Sequence, residues 1–135
     1  MGVAASSASS RRCPPESVVP IPTVTGLEEL KERLRRFARA RDWEQFHSPK
    51  NLSMALIVEA AELVEHFQWL TEGQSRQLPE QTLRAVEQEM ADVFIYLTRM
   101  ADLLGVDLLD AARRKIELNE EKYPAHEVRG KADKR

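Results

Sequence analysis

From Met54 to Val64 every position is apolar except Glu59 and Glu62. The run contains no glycine or proline, so it predicts a helix. Ser48 supplies an N-cap and Pro49 a first helical position, and the pattern continues through Trp69 and Leu70; the spacing predicts a helix over 49–70. A second strong pattern runs through Leu83, Val86, Met90, Val93, Phe94, Leu97 and Met100, predicting a helix over 79–104 with one wide apolar face, closed by Gly105. Upstream, Leu27, Leu30, Leu34 and Phe37 with Ala38 form a narrower stripe, and Thr25-Gly26-Leu27-Glu28 reads as a capping box that starts the helix at Thr25. Downstream, Leu108, Ala111, Ala112, Ile116 and Leu118 predict a helix over 108–122, with Asp107 as its N-cap and Pro124 beyond its end. Thr71 to Gln74 reads as a turn with Gly73 in the left-handed region. Four helices joined by short polar connections predict an all-α, antiparallel four-helix bundle.

Two carboxylates in the middle of an otherwise apolar helix need a partner, because a buried charge is costly unless it is paired or bound to a metal. Spacing i, i+3 puts Glu59 and Glu62 on one face. The 79–104 segment repeats the device with Glu89 and Asp92, again followed by apolar residues. Residues 63–88 are enough to finish one helix, turn and begin an antiparallel one, which brings the four acids together. Glu59, Glu62, Glu89 and Asp92 are therefore candidate ligands for Mg2+, with Mn2+ as a substitute, since hard carboxylate oxygens suit these ions. Such a centre supports metal-assisted hydrolysis of a nucleotide, the ions neutralising phosphate charge.

Charge narrows the field. The 135 residues carry a formal net charge of -2 with both signs mixed, which argues against a nucleic-acid-binding surface. No apolar run reaches membrane-spanning length. The single cysteine, Cys13, excludes an internal disulfide, and a cytoplasmic location is expected. Residues 1–24, rich in Ser, Ala and Pro, are expected to be a disordered tail, 25–126 the folded domain, and 127–135 a charged C-terminal tail. Two further readings of the first segment are N-myristoylation at Gly2, with Ser6 in pattern, and organelle targeting carried by Arg11 and Arg12.

Other side chains admit a structural and a functional reading. Trp43, Phe46 and His47 are a packed connector sealing the bundle, or a ligand wall on which Trp43 stacks a base and His47 donates to it. His66 is a boundary histidine, or a ligand one turn from Glu62. Tyr96 lies one turn from Asp92 on the acidic stripe and Trp69 ends its helix. Lys115 and Asn119 share a face that is solvated or meets phosphate oxygens. A di-iron carboxylate bundle is disfavoured, because the sole Glu-x-x-His is Glu44 to His47, beside Pro49 at a helix boundary. A non-catalytic helical interaction module, its acids paired with Arg99 or Lys115, explains less well why both acid pairs sit in apolar runs.

The acid pairs resemble the metal motif of the all-α nucleoside triphosphate pyrophosphatases, the MazG-like group. Arg41-Asp-Trp-Glu-Gln-Phe-His47, Phe67-Gln-Trp69, Asp92-Val-Phe-Ile-Tyr96 and Lys115-x-x-x-Asn119-x-x-x-Tyr123-Pro124 are similar to its dCTP pyrophosphatase branch. The resemblance covers 25–126. It implies Mg2+-dependent hydrolysis of dCTP, and of modified cytosine nucleotides, to the monophosphate and pyrophosphate, in nucleotide-pool cleaning. It further implies that Glu59, Glu62, Glu89 and Asp92 take the metal, with Glu62 as our choice of water-activating base. Trp43, His47, Trp69 and Tyr96 would surround the nucleoside, and Lys115 and Asn119 the phosphates. A homotetramer completing the bundle is also implied, with each site shared between subunits. One position departs: where the family pattern implies a base-contacting histidine on the first helix, this chain has Leu34, which cannot donate a hydrogen bond. A broad house-cleaning specificity is the alternative this opens.

Overall fold

The computed structural model describes residues 23–132. The expected tail over most of 1–24, with its Gly2 and Arg11–Arg12 readings, lies outside the described residues, as does the end of the C-terminal tail. The described residues form helices α1 (Leu27–Ala40), α2 (Pro49–Glu65), α3 (Glu72–Ser75), α4 (Glu80–Leu104), α5 (Leu108–Lys122) and α6 (Ala125–Val128), with a 3-10 turn at Glu44–Phe46 and no strand among them. The all-α expectation holds. No helix among the described residues is long and apolar enough to cross a membrane.

Several boundaries follow the predicted chemistry. The Ser48 hydroxyl accepts from the Asn51 N–H with Pro49 at the first position of α2, and the Asp107 carboxylate accepts from the Asp110 N–H at the start of α5. Gly105 ends α4 at φ 66°, the left-handed conformation glycine adopts without penalty.

Three boundaries differ. The helix expected from Thr25 starts at Leu27 with Gly26 as N-cap, and the capping box does not form. Instead the Thr25 N–H and hydroxyl both donate to Glu29 Oε2 at 2.9 Å, one residue later than the expected pairing with Glu28. Helix α2 stops at Glu65 rather than Leu70, because the His66 and Phe67 N–H groups turn back to carbonyls three residues away, Leu63 and Val64. Thr71 to Gln74 is not a turn with a left-handed Gly73. Thr71 and Gln74 form a reciprocal capping box, and Gly73 lies inside α3.

Helices α2 and α4 make the most extensive contact and run antiparallel: residue 47 lies by 99, 59 by 92 and 66 by 89. Helix α1 packs less extensively on α4. A salt link fastens it. Arg35 Nε donates to Asp102 Oδ2 at 2.7 Å and Arg35 Nη2 donates to Oδ1, a bidentate pair with the Asp102 side chain largely buried. The hydrogen bonds from Arg35 hold the Asp102 carboxyl below the ordinary carboxylate range. A depressed carboxyl pKa contributes stability that is complete above the unfolded value, near 4, and is lost as pH falls through the lowered native value. We expect Asp102→Asn to lower Tm by roughly 5–10 °C at neutral pH and by less at acid pH, measured by calorimetry. An equal shift across that pH range would remove the charge from the account.

The buried apolar core is small: Ala38, Leu52, Val86 and Ala101. Met54, Ile57, Val58 and Val64 on α2, Met90 and Phe94 on α4, and Leu109, Ile116 and Leu118 on α5 remain exposed. One chain therefore leaves both strongly apolar helices half covered.

Candidate active site

Antiparallel pairing of α2 and α4 faces the two acid pairs toward each other. Glu59, Glu89 and Asp92 each offer a carboxylate oxygen, and the three oxygens lie within 4.8 Å of one another. The donor set fits a hard divalent cation: three oxygens from two rigid helices, spaced for a shared ion. Glu62 stands beside Glu59, near enough to share a hydrogen bond with it, but outside that trio. The Glu59 carboxyl is pushed above its ordinary value, first by partial burial and then by the charges of Glu62, Asp92 and Glu89. Converging acids of this kind gain from a cation between them. His66, half-buried, puts Nε2 3.9 Å from Glu89 Oε1. Of its two readings, the structure brings it to the edge of the acid cluster.

A cavity of about 500 Å3 opens beside the acids, between α1, the 3-10 turn and α4. Its wall includes Leu30, Leu34 and Phe37 from α1, Trp43 and His47 around the turn, and Asp92, Ile95, Tyr96 and Arg99 from α4. Asp92 belongs to both the acid trio and the cavity wall.

The entry of Trp43 and His47 has a local cause. Asp42 takes φ 54°, a left-handed position open to aspartate, so that the Trp43 N–H reaches back to the Ala38 carbonyl at 2.9 Å. Gln45 Nε2 donates to both the Asp42 carbonyl and its side chain at 2.9 Å, holding the turn. Trp43 then meets the Phe37 ring edge-on at 5.7 Å, and the Arg41 guanidinium covers that ring at 3.6 Å. Phe46 is left exposed and does not line the cavity.

The titratable groups of the wall are tuned in opposite senses. Burial, then the Arg99 charge, push His47 down, with Glu44 opposing, so the imidazole is neutral near pH 7. Burial, then Glu59 and Asp92, push the Tyr96 phenol up, which keeps its proton for donation. Arg99, only 5 % exposed, is a wall residue to which the sequence reading gave only a pairing with the acids, in the interaction-module alternative, and no role at a cavity. Its partner Asp102 is one turn along α4, but His47 lies 52 residues away in the chain, so no local signal reveals that contact.

The remaining candidates do not reach this cavity within one chain. Trp69 is 87 % exposed beyond the end of α2, and Lys115 and Asn119 lie on exposed positions of α5. None of the three lines the cavity.

Comparison with known proteins agrees with this geometry. Residues 54–134 match the model of the MazG-like family. The chain is 43 % identical over 110 residues to mouse dCTP pyrophosphatase 1, covering 80 % of this chain and 65 % of the mouse protein. Against human dCTP pyrophosphatase 1 it is 41 % identical over 120 residues, 87 % of this chain and 69 % of the human one. The crystal structure of a pyrophosphatase from Archaeoglobus fulgidus DSM 4304 superposes with a TM-score of 0.70 at 40 % identity, covering 77 % of this chain and 98 % of that one. With 60 % of its length inside the family model and relatives this similar, the chain belongs to the MazG-like family.

Proposed function

We propose that this chain is a Mg2+-dependent dCTP pyrophosphatase, converting dCTP and modified cytosine deoxynucleotides to the monophosphate and pyrophosphate, in a cytoplasmic role of nucleotide-pool cleaning. The observation that carries this reading is Asp92, which joins the acid trio to a cavity of about 500 Å3 lined by Trp43, His47 and Tyr96. The names and identities of the mouse and human relatives support it.

Glu59, Glu89 and Asp92, with Glu62 adjoining, would hold the cation. When bound, Mg2+ supplies charge neutralisation for the triphosphate and eases deprotonation of water. The chain's own groups do the rest. Trp43 stacks the base, neutral His47 donates to it, and the Tyr96 phenol donates beside the acids. Glu62 takes the proton of the attacking water as the α–β phosphoanhydride breaks, and dCMP and pyrophosphate leave.

Trp69, Lys115 and Asn119 complete the site from neighbouring copies in a homotetramer, Trp69 closing the nucleoside and the other two meeting phosphate. Support comes from the exposed apolar residues of α2, α4 and α5, more than a lone chain of this size leaves in water without a partner. A second reading, a broad house-cleaning NTP pyrophosphatase, is favoured by Leu34, an apolar residue in the base cavity that offers no hydrogen bond.

The test is pyrophosphate release from the eight common NTPs and dNTPs with Mg2+, repeated with EDTA, on material sized by light scattering. We expect Mg2+-dependent release in which dCTP far outpaces the other seven nucleotides, from a tetramer. Release from many nucleotides would select the broad reading. A monomer that turns over normally would remove the shared site, and no release at all would return the chain to the interaction modules.

A further inference from the structure

Arg99 lies one turn beyond Tyr96 on α4, buried in the cavity wall. A guanidinium has five N–H donors and no acceptor. Nη1 meets Asp102 Oδ2 at 3.3 Å, and Nη2 stands 3.9 Å from Glu44 Oε1. Nε–H is directed at His47 Nδ1, 3.4 Å away. The bidentate pair with Arg35 fixes Asp102 in turn, through the same Oδ2 and through Oδ1. The link thus runs from α1 through α4 to the residue that follows the 3-10 turn, and its last member faces the cavity.

That last hydrogen bond has one possible sense. Arg99 can only donate, so Nδ1 must accept and cannot carry a proton. In a neutral ring the single N–H is then on Nε2. We propose that Arg99 is a positioning residue which locks His47 in the Nε2–H tautomer, making it a fixed hydrogen-bond donor that selects the nucleobase. The selection rests on the functional reading above; the lock on the tautomer does not.

A fixed donor has chemical consequences. Cytosine carries an acceptor at N3, whereas thymine carries a hydrogen there. An N–H that cannot become an acceptor therefore favours cytosine at that edge. A His47 free to exchange tautomers would offer thymine an acceptor equally well. Leu34 makes this more consequential, since α1 contributes no polar group at that position. Burial and the Arg99 charge, which keep the ring neutral, agree with this role.

The experiment has two arms on the full chain. The first records the imidazole 15N spectrum of wild type, Arg99→Met and Arg99→Lys without nucleotide. The second measures kcat and KM for dCTP and dTTP with Mg2+. In wild type we expect His47 wholly as Nε2–H. In Arg99→Met, where Arg35 still pairs Asp102, we expect both tautomers. There the KM for dCTP should rise about tenfold with kcat changed less, and the preference over dTTP should fall by a similar factor. Arg99→Lys should restore part of the preference. A Nδ1–H or mixed ring in wild type would overturn the proposal, with no variant needed. So would an Arg99→Met protein that loses dCTP and dTTP turnover equally, the signature of a merely structural residue. If wild type cleaves no nucleotide, the functional reading fails on its own. The wild-type spectrum then still upholds or overturns the hold of Arg99 on His47.

Discussion

Replacing Glu89 with alanine is expected to lower kcat/KM for dCTP by about a hundredfold or more and to weaken Mg2+ binding in parallel. Glu89 supplies one of three oxygens lying within 4.8 Å of one another, and neither Glu59 nor Asp92 can move to replace it, being fixed on opposite helices. Titrating Mg2+ into wild type and variant by calorimetry, with a non-hydrolysable dCTP analogue present, separates the causes. Equal metal affinities would take Glu89 out of the site. The fold itself should not suffer. Without a cation the acids repel one another, which is why the Glu59 carboxyl is raised, so removing one carboxylate relieves the metal-free protein. A large drop in the metal-free Tm would therefore mean that Glu89 acts through packing instead.

Glu62→Gln carries the second large effect. Glutamine keeps the shape of glutamate and can still hydrogen-bond Glu59, but it cannot take a proton. As the general base, Glu62 should contribute about 10²–10⁴-fold, so kcat should fall by that factor at saturating Mg2+ while KM changes little. Its position at the edge of the acid trio, beside the cluster that would hold the cation, is what favours this role. Near-wild-type turnover in the variant would exclude it. A loss that added Mg2+ repaired would show that Glu62 serves the metal alone.

Local patterns carried the fold class and the acid pairs. Helical spacing puts Glu59 with Glu62, and Glu89 with Asp92, on single faces whatever else the chain does. Ser48, Asp107 and Gly105 mark helix ends through bonds within a few residues, and these ends are where the pattern put them. Where local reading failed, the competing options were also local and nearly equal. Thr25 had two glutamates within reach, and its N–H and hydroxyl went to Glu29 rather than Glu28. Thr71 and Gln74 carried a capping-box spacing that the intervening Gly73 concealed.

Other features have no local signature at all. Arg35 and Asp102 are 67 residues apart, and Arg99 and His47 are 52 apart. Which arginine of so basic an α1 turns inward depends on α4 arriving opposite it. Lys31, on the same helix, is buried with its Nζ donating to Glu28, whereas the Arg35 side chain stays partly exposed. The cavity beside Asp92 likewise owes its Trp43 wall to Asp42, whose left-handed turn reverses the chain and lays Trp43 against Phe37. The amino-acid order alone thus determined the helices, their polar faces and the acid pairs, since each follows from backbone geometry over one or two turns. The meeting of those faces, the buried Arg99 link and the cavity beside Asp92 were decided by tertiary packing, because each joins groups brought together only when the helices dock.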